Sequence, residues 1–267
     1  MRTPFTTLTV GLVLATAAMA GCSSTTGSSG AVQNAATASA SAAASTGAPA
    51  VAQEAAPAEA TQGASCADGG RCNLGDSGPG GGVVFYVAST AFACGANMAS
   101  TCKYLESAPN LWNPDSKISC KAATGTSCGG SVQETSDFSS TGLGFPWCTG
   151  SGETERVNGA IGTVMGSGFA NTTAMLSVCN PGDAGNVARS YTGGGLTDWS
   201  LPSLYELTAL YNYNNRAAIG GFNSGLYWSS MESNAQMSYA QSFKSTGDRP
   251  QEQYKSTTDG VRPIRAF

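Results

Sequence analysis

The chain is predicted to fold as an α+β domain, a small twisted antiparallel sheet with flanking helices and long disulfide-stapled loops. Three observations carry this expectation. Short runs rich in β-branched and aromatic residues (Val83–Val87, Lys103–Ser107, Leu226–Ser230 and Met237–Phe243) are separated by turn-rich segments. Between them, Ser203 followed by Glu206 has the form of a capping box, and Leu204, Leu207, Leu210 and Tyr211 recur at a spacing of three to four, which makes one apolar helical face. Of nine cysteines, all but Cys22 lie between Cys66 and Cys179, and an even set in an exported chain implies disulfides.

Export is indicated at the start of the chain. Arg2 precedes an apolar run from Leu8 to Ala20, and small residues lead to Cys22, so residues 1–21 have the composition of a secretory signal. The run is too short for a stable bilayer span. Ala20-Gly21-Cys22 resembles a bacterial lipobox, which makes Cys22 the expected lipidation site and membrane anchor; ordinary cleavage near Ala20 is the alternative. Residues 22–64 are almost wholly Ala, Ser, Thr and Gly, with no aromatic residue. Such a segment cannot offset the entropy of ordering and is expected to be a flexible tether. As a coil it would reach about 35 Å. The globular domain is expected over 65–267.

Each element of that domain has a local cause. The glycine-rich stretch Leu74–Gly82 feeds a β-branched strand rather than a helix and lacks a following Gly-Lys-Ser/Thr, so it predicts a tight turn and not a phosphate loop. Lys103–Ser107 forms the second strand. Residues 108–165 predict a long irregular region carrying Trp112, Phe138, Phe145 and Trp147. Phe169–Cys179 and Ala184–Tyr191 predict helices. The capped helix from Ser203 ends near Asn212–Asn215. In Met237–Phe243, Met237, Tyr239 and Phe243 share one face at period two. The chain ends on Phe267 without a polar tail, so its terminus is expected in the sheet, with Pro263 at an edge or bulge. Local spacing suggests the pairs Cys66–Cys72, Cys94–Cys102 and Cys120–Cys128, leaving Cys148–Cys179. The set contains no C-x-x-C and no histidine, which favours disulfides over a metal site.

Composition narrows the function. Net charge is −4, with 13 Lys and Arg scattered singly, so no basic surface for nucleic acid or anionic lipid is expected. The absence of histidine removes Ser-His-Asp and Cys-His nucleophilic systems and His-ligated zinc. No cofactor and no metal are expected.

Six motifs in order then carry a resemblance: Gly75–Tyr86, Tyr104–Pro109, Thr197–Ser203 with Glu206-Leu207, Ile219–Phe222, Tyr227–Ser230 with Glu232, and Val261–Phe267. Together they resemble the Lcl C-terminal domain family, a domain of unknown function named for a collagen-like surface adhesin, across about residues 74–267. The resemblance implies a C-type-lectin-like or sulfatase-modifying-factor-like fold. It does not carry over calcium-dependent sugar binding, because Glu-Pro-Asn and Trp-Asn-Asp are absent. Nor does it carry over paired catalytic cysteines, since none follows Cys179.

The expected role is a non-enzymatic binding or adhesion module, lipid-anchored in the cell envelope and facing an oxidising compartment, with a glycan or a surface protein as ligand. Trp112, Trp147 and Trp228 are the candidate stacking rings, although each also suits a core anchor, and the 108–165 loops are the expected contact region. Two alternatives stand beside it: a structural envelope lipoprotein, or a hydrolase using Glu206 and Glu232 as paired carboxylates.

Overall fold

β-Branched and aromatic residues set the first strand, and the structure extends it well beyond Val87. In the computed structural model, which describes residues 64–113, 118–119, 134–138, 144–222, 225–244 and 249–267, β1 runs Val83–Cys94 and β2 runs Ser100–Ser107. They pair antiparallel from Val83↔Ser107 to Cys94↔Ser100, with the register broken between Val87 and Phe92. Cys94 and Cys102 form a disulfide near the far end of this hairpin. The stretch between Val87 and Lys103, outside the two predicted strands, is therefore partly strand: Phe92 to Cys94 pair with Cys102 to Ser100, and residues 95–99 make the turn.

The remaining elements follow in order. Among the described residues, three two-residue strands, β3 (Ile118–Ser119), β4 (Glu134–Thr135) and β5 (Phe145–Pro146), precede four α-helices. These are α1 (Gly168–Met175), α2 (Ala184–Ser190), α3 (Leu204–Asn212) and α4 (Arg216–Ile219). The chain finishes with β6 (Leu226–Glu232), β7 (Met237–Ser242), β8 (Pro250–Tyr254), β9 (Thr258–Asp259) and β10 (Ile264–Ala266). β1, β2 and β10 make one antiparallel sheet in that order, and β6, β7 and β8 make a second. β3 pairs with β4 and β5 with β9. The fold is α+β, built from small antiparallel sheets with a few short helices.

The C-terminus is built into the first sheet. Ile264 pairs with Ser107, and the amide of Phe267 donates to Tyr104 O at 3.1 Å. Pro263, which has no N–H to give, stands just before β10 and accepts from the Ala108 amide through its carbonyl.

α3 starts where the sequence places it. Ser203 Oγ accepts from the Glu206 amide, and the Glu206 carboxylate accepts from the Ser203 amide, completing the capping box. Leu207, Leu210 and Tyr211 are buried with Phe85, Leu105, Tyr227, Phe243 and Ile264 in one core. A second core gathers Trp112, Trp147, Trp199 and Trp228 with Met175, Leu201 and Val261. α1 ends four residues short of the predicted Cys179. β8 and α4 were not expected; Pro250–Tyr254 is only partly buried and its polar composition hides the period-two signal.

Among the described residues three disulfides are present: Cys66–Cys72, Cys94–Cys102 and Cys148–Cys179. They indicate maturation in an oxidising, extracytoplasmic environment. Among the described residues, no helix is long and apolar enough to cross a membrane. The chain divides into two units, Met1–Pro57 and Ala58–Phe267, and every described residue belongs to the second. The expected signal segment, the Cys22 lipidation site, residues 22–63 of the tether and the Cys120–Cys128 pair lie outside the described residues.

Candidate ligand pocket and buried charge network

Among the described residues five carboxylates are fully buried, and each is held by its own donors; Asp259, less buried as a residue, keeps Oδ2 buried without a partner, and burial pushes its pKa up to about 7. Glu106 accepts from the Gly80 amide at 3.0 and 3.1 Å, the Gly82 amide at 3.1 Å and Arg265 Nη1 at 3.0 Å. The glycine-rich turn thus does cradle an anion, and that anion is the protein's own side chain. A Cβ at Gly80 would collide with Trp199 and Glu106, so only glycine lets the backbone approach this closely. Burial raises the Glu106 carboxyl above its ordinary range, against the opposing pull of Arg265 and the two amides.

Asp137 receives a bidentate contact from Arg262, Nε at 2.7 Å and Nη2 at 2.6 Å, together with Trp112 Nε1 at 2.9 Å and Tyr227 OH at 3.0 Å. Glu232 accepts from Lys255 Nζ at 2.5 Å and the Val157 amide at 2.8 Å. Lys255 spends its remaining donors on the carbonyls of Gly152 and Glu155. Asp183 accepts from the amides of Thr149 and Asn180, both at 2.7 Å. Glu206 accepts from the amides of Ser203 at 2.6 Å and Gly166 at 2.7 Å, and burial pushes its pKa up to about 7.

Glu206 and Glu232, the pair considered for hydrolysis, are therefore tied to separate partners. Glu206 also lines a cavity of about 120 Å³ with Phe169, Asp198 and Ser200. That is well below the roughly 300 Å³ at which ligand pockets begin. Cys148, Cys179 and Asp183 approach one another, but both sulfurs are spent in a disulfide and offer no thiolate.

The three tryptophans considered as stacking rings are in the core, which corrects that expectation. Trp147 and Trp228 are 0% exposed and Trp112 is 6% exposed. Their indole N–H groups donate inward, to Ser229 O, Phe145 O and Asp137 respectively. A sugar ring needs an open indole face, and these have none to offer. Phe138, Phe145 and Trp147 likewise anchor the 108–165 region to the core, although much of that region lies outside the described residues.

An open pocket occurs elsewhere. Arg216, Ala217, Gly220, Gly221, Phe222 and Phe243 line a space of about 320 Å³. Gly220 and Gly221 have φ of 74° and 76°, the left-handed region that favours glycine. Behind them the wall is fixed by Arg262, whose Nη2 donates to Gly220 O at 2.9 Å while the same guanidinium is neutralised by Asp137. A chain of face contacts then runs outward. Arg262 lies over Phe222 at 4.1 Å, and Phe222 stacks on Phe243 at 4.9 Å and 12°. Arg216 lies over Phe243 at 5.4 Å and over Tyr211 at 4.8 Å.

The two arginines on this chain of rings differ in one respect. Arg262 has a buried carboxylate; among the described residues Arg216 donates to no acceptor, and its Nη1 is buried without a partner. Arg156, Arg189, Lys255, Arg262 and Arg265 all donate to oxygens.

No protein-family model and no curated protein matches the chain. Local geometry is therefore the basis for assigning the site. Nothing in the sequence pointed to Arg216, which stands alone after Asn212–Asn215. Gly220-Gly221-Phe222 was visible as a motif, but its role as a pocket wall depends on Arg262, forty residues further on.

Proposed function

We propose that the protein is a binding module displayed in the cell envelope, held by a lipid anchor at Cys22 and carried on the 22–64 tether. The supporting observation is the allocation of charge. Glu106, Asp137, Asp183, Glu206 and Glu232 are each consumed in holding the fold, whereas the Arg216 guanidinium meets no acceptor among the described residues and lines an open pocket walled by aromatic rings. Hydrolysis by two carboxylates needs both free to meet a substrate across a cleft, and Glu206 and Glu232 are each committed to structural partners. Recognition needs an apolar surface with a few converging polar groups, which the Arg216 pocket supplies.

The three disulfides fit an exported protein. The resemblance to the Lcl C-terminal domain family fits the same role, since that family takes its name from a surface adhesin. The ligand class proposed for the whole module is a glycan or an envelope or extracellular protein.

The test is a binding screen with the purified full chain against immobilised glycans and envelope proteins, alongside fractionation of expressing cells with and without Cys22→Ser. Saturable binding, with membrane association lost in Cys22→Ser, supports the proposal. A membrane-associated chain that binds nothing on either panel would instead favour a structural envelope lipoprotein.

A further inference from the structure

Resting on the proposal of a binding module, we infer that the Arg216 pocket is a recognition site for a carboxylate carried on a compact apolar or aromatic group. Three features converge on this chemistry. Arg216 lies over Tyr211 at 4.8 Å and over Phe243 at 5.4 Å, two rings at 86° to each other, and its planar fork of N–H groups matches a carboxylate bidentately. Among the described residues the guanidinium meets no acceptor and its Nη1 is buried; a buried charged donor without a partner is costly, so an anion that draws Nη1 into a hydrogen bond removes a penalty already present. Phe222 and Phe243 provide the apolar wall, and a space of about 320 Å³ suits a group no larger than a residue or two.

The site is also held ready. Arg262, Asp137 and the left-handed Gly220-Gly221 pair fix the wall before any ligand arrives. Asp137 neutralises Arg262, so Arg216 is the cation of the pocket with charge to spare. Two sources could present this chemistry, the C-terminus of a peptide or a free small acid.

The experiment is an amide-resolved NMR titration of the full chain with N-acetyl-L-phenylalanine, N-acetyl-L-phenylalaninamide and benzoate. The expected result is that the acid shifts the amides of Arg216 to Phe222 and Phe243 and binds at least tenfold more tightly than the amide. Tighter binding of N-acetyl-L-phenylalanine than of benzoate assigns a peptide C-terminus, and equal binding assigns a free acid. Arg216→Gln should reduce affinity for the acid to that of the amide while the rest of the spectrum is preserved. Arg216→Lys, which keeps charge but loses the fork, should fall between the two. Equal binding of acid and amide, shifts centred on another part of the domain, or an unaffected Arg216→Gln protein overturns the inference. If the acid fails here while the chain still binds a glycan or protein on the panels, only the inference falls.

Discussion

Replacing Glu206 by Gln converts one oxygen of a buried carboxylate into an NH2 group and leaves the volume unchanged. In the wild type the two oxygens accept separately, one from the Ser203 amide and one from the Gly166 amide. Gln has one acceptor oxygen, so one of these amides must face a donor, a loss of about 1–3 kcal/mol. A second contribution depends on pH. Burial raises the Glu206 pKa from 4.5 to about 7 in the folded state. The folded protein therefore holds a proton that the unfolded chain has released, and the resulting stability is fully present below pH 4.5 and lost as pH rises through about 7. Its size is about 3 kcal/mol across that window. Glu206→Gln has no such titration. Chemical denaturation at pH 5 should show the variant clearly less stable than wild type, and at pH 8 the gap should shrink by about 2–3 kcal/mol. A gap of equal size at both pH values would falsify the assignment of Glu206 as a protonating, structural cap.

Further perturbations test the rest of the charge network and the staples. Asp137→Asn strips Arg262 of its counter-charge inside the core and should cost about 3–5 kcal/mol by chemical denaturation. Gly80→Ala pushes a methyl into Trp199 and the Glu106 carboxylate; a loss of about 1–3 kcal/mol is expected in thermal melts, with Trp199 fluorescence shifted. Replacing Cys148 and Cys179 together by Ser opens a bridge between residues 31 apart and should cost about 4 kcal/mol, lowering the denaturation midpoint under non-reducing conditions only.

Local rules were enough wherever the cause was local. Ser203 and Glu206 are three residues apart, and the box they form depends on little else. Cys66–Cys72 and Cys94–Cys102 close short loops, so spacing alone proposed them, and Cys148–Cys179 followed as the remainder. Val261–Phe267, which ends on an aromatic residue, was expected in the sheet, and β10 pairs there. Long-range relations were not legible. Glu106 sits at the end of a strand-like run, and nothing nearby says that it will be buried beneath Gly80 and Gly82. Trp228 and its neighbours follow a strand pattern that fits an exposed stacking face as well as a buried one; only the carbonyl of Phe145, reached across the core, decides between them. The same is true of Arg216, whose significance lies in the acceptor it lacks among the described residues and in rings contributed by α3, the residues after α4 and the residue after β7.

The most direct test of the central claim is a competition measurement on the panel of glycans and envelope proteins. The full chain is predicted to bind at least one surface saturably. N-acetyl-L-phenylalanine should displace it, N-acetyl-L-phenylalaninamide should not, and the Arg216→Gln protein should bind that surface weakly from the outset. No saturable binding by a correctly folded, disulfide-intact chain would contradict the claim that this domain is a binding module.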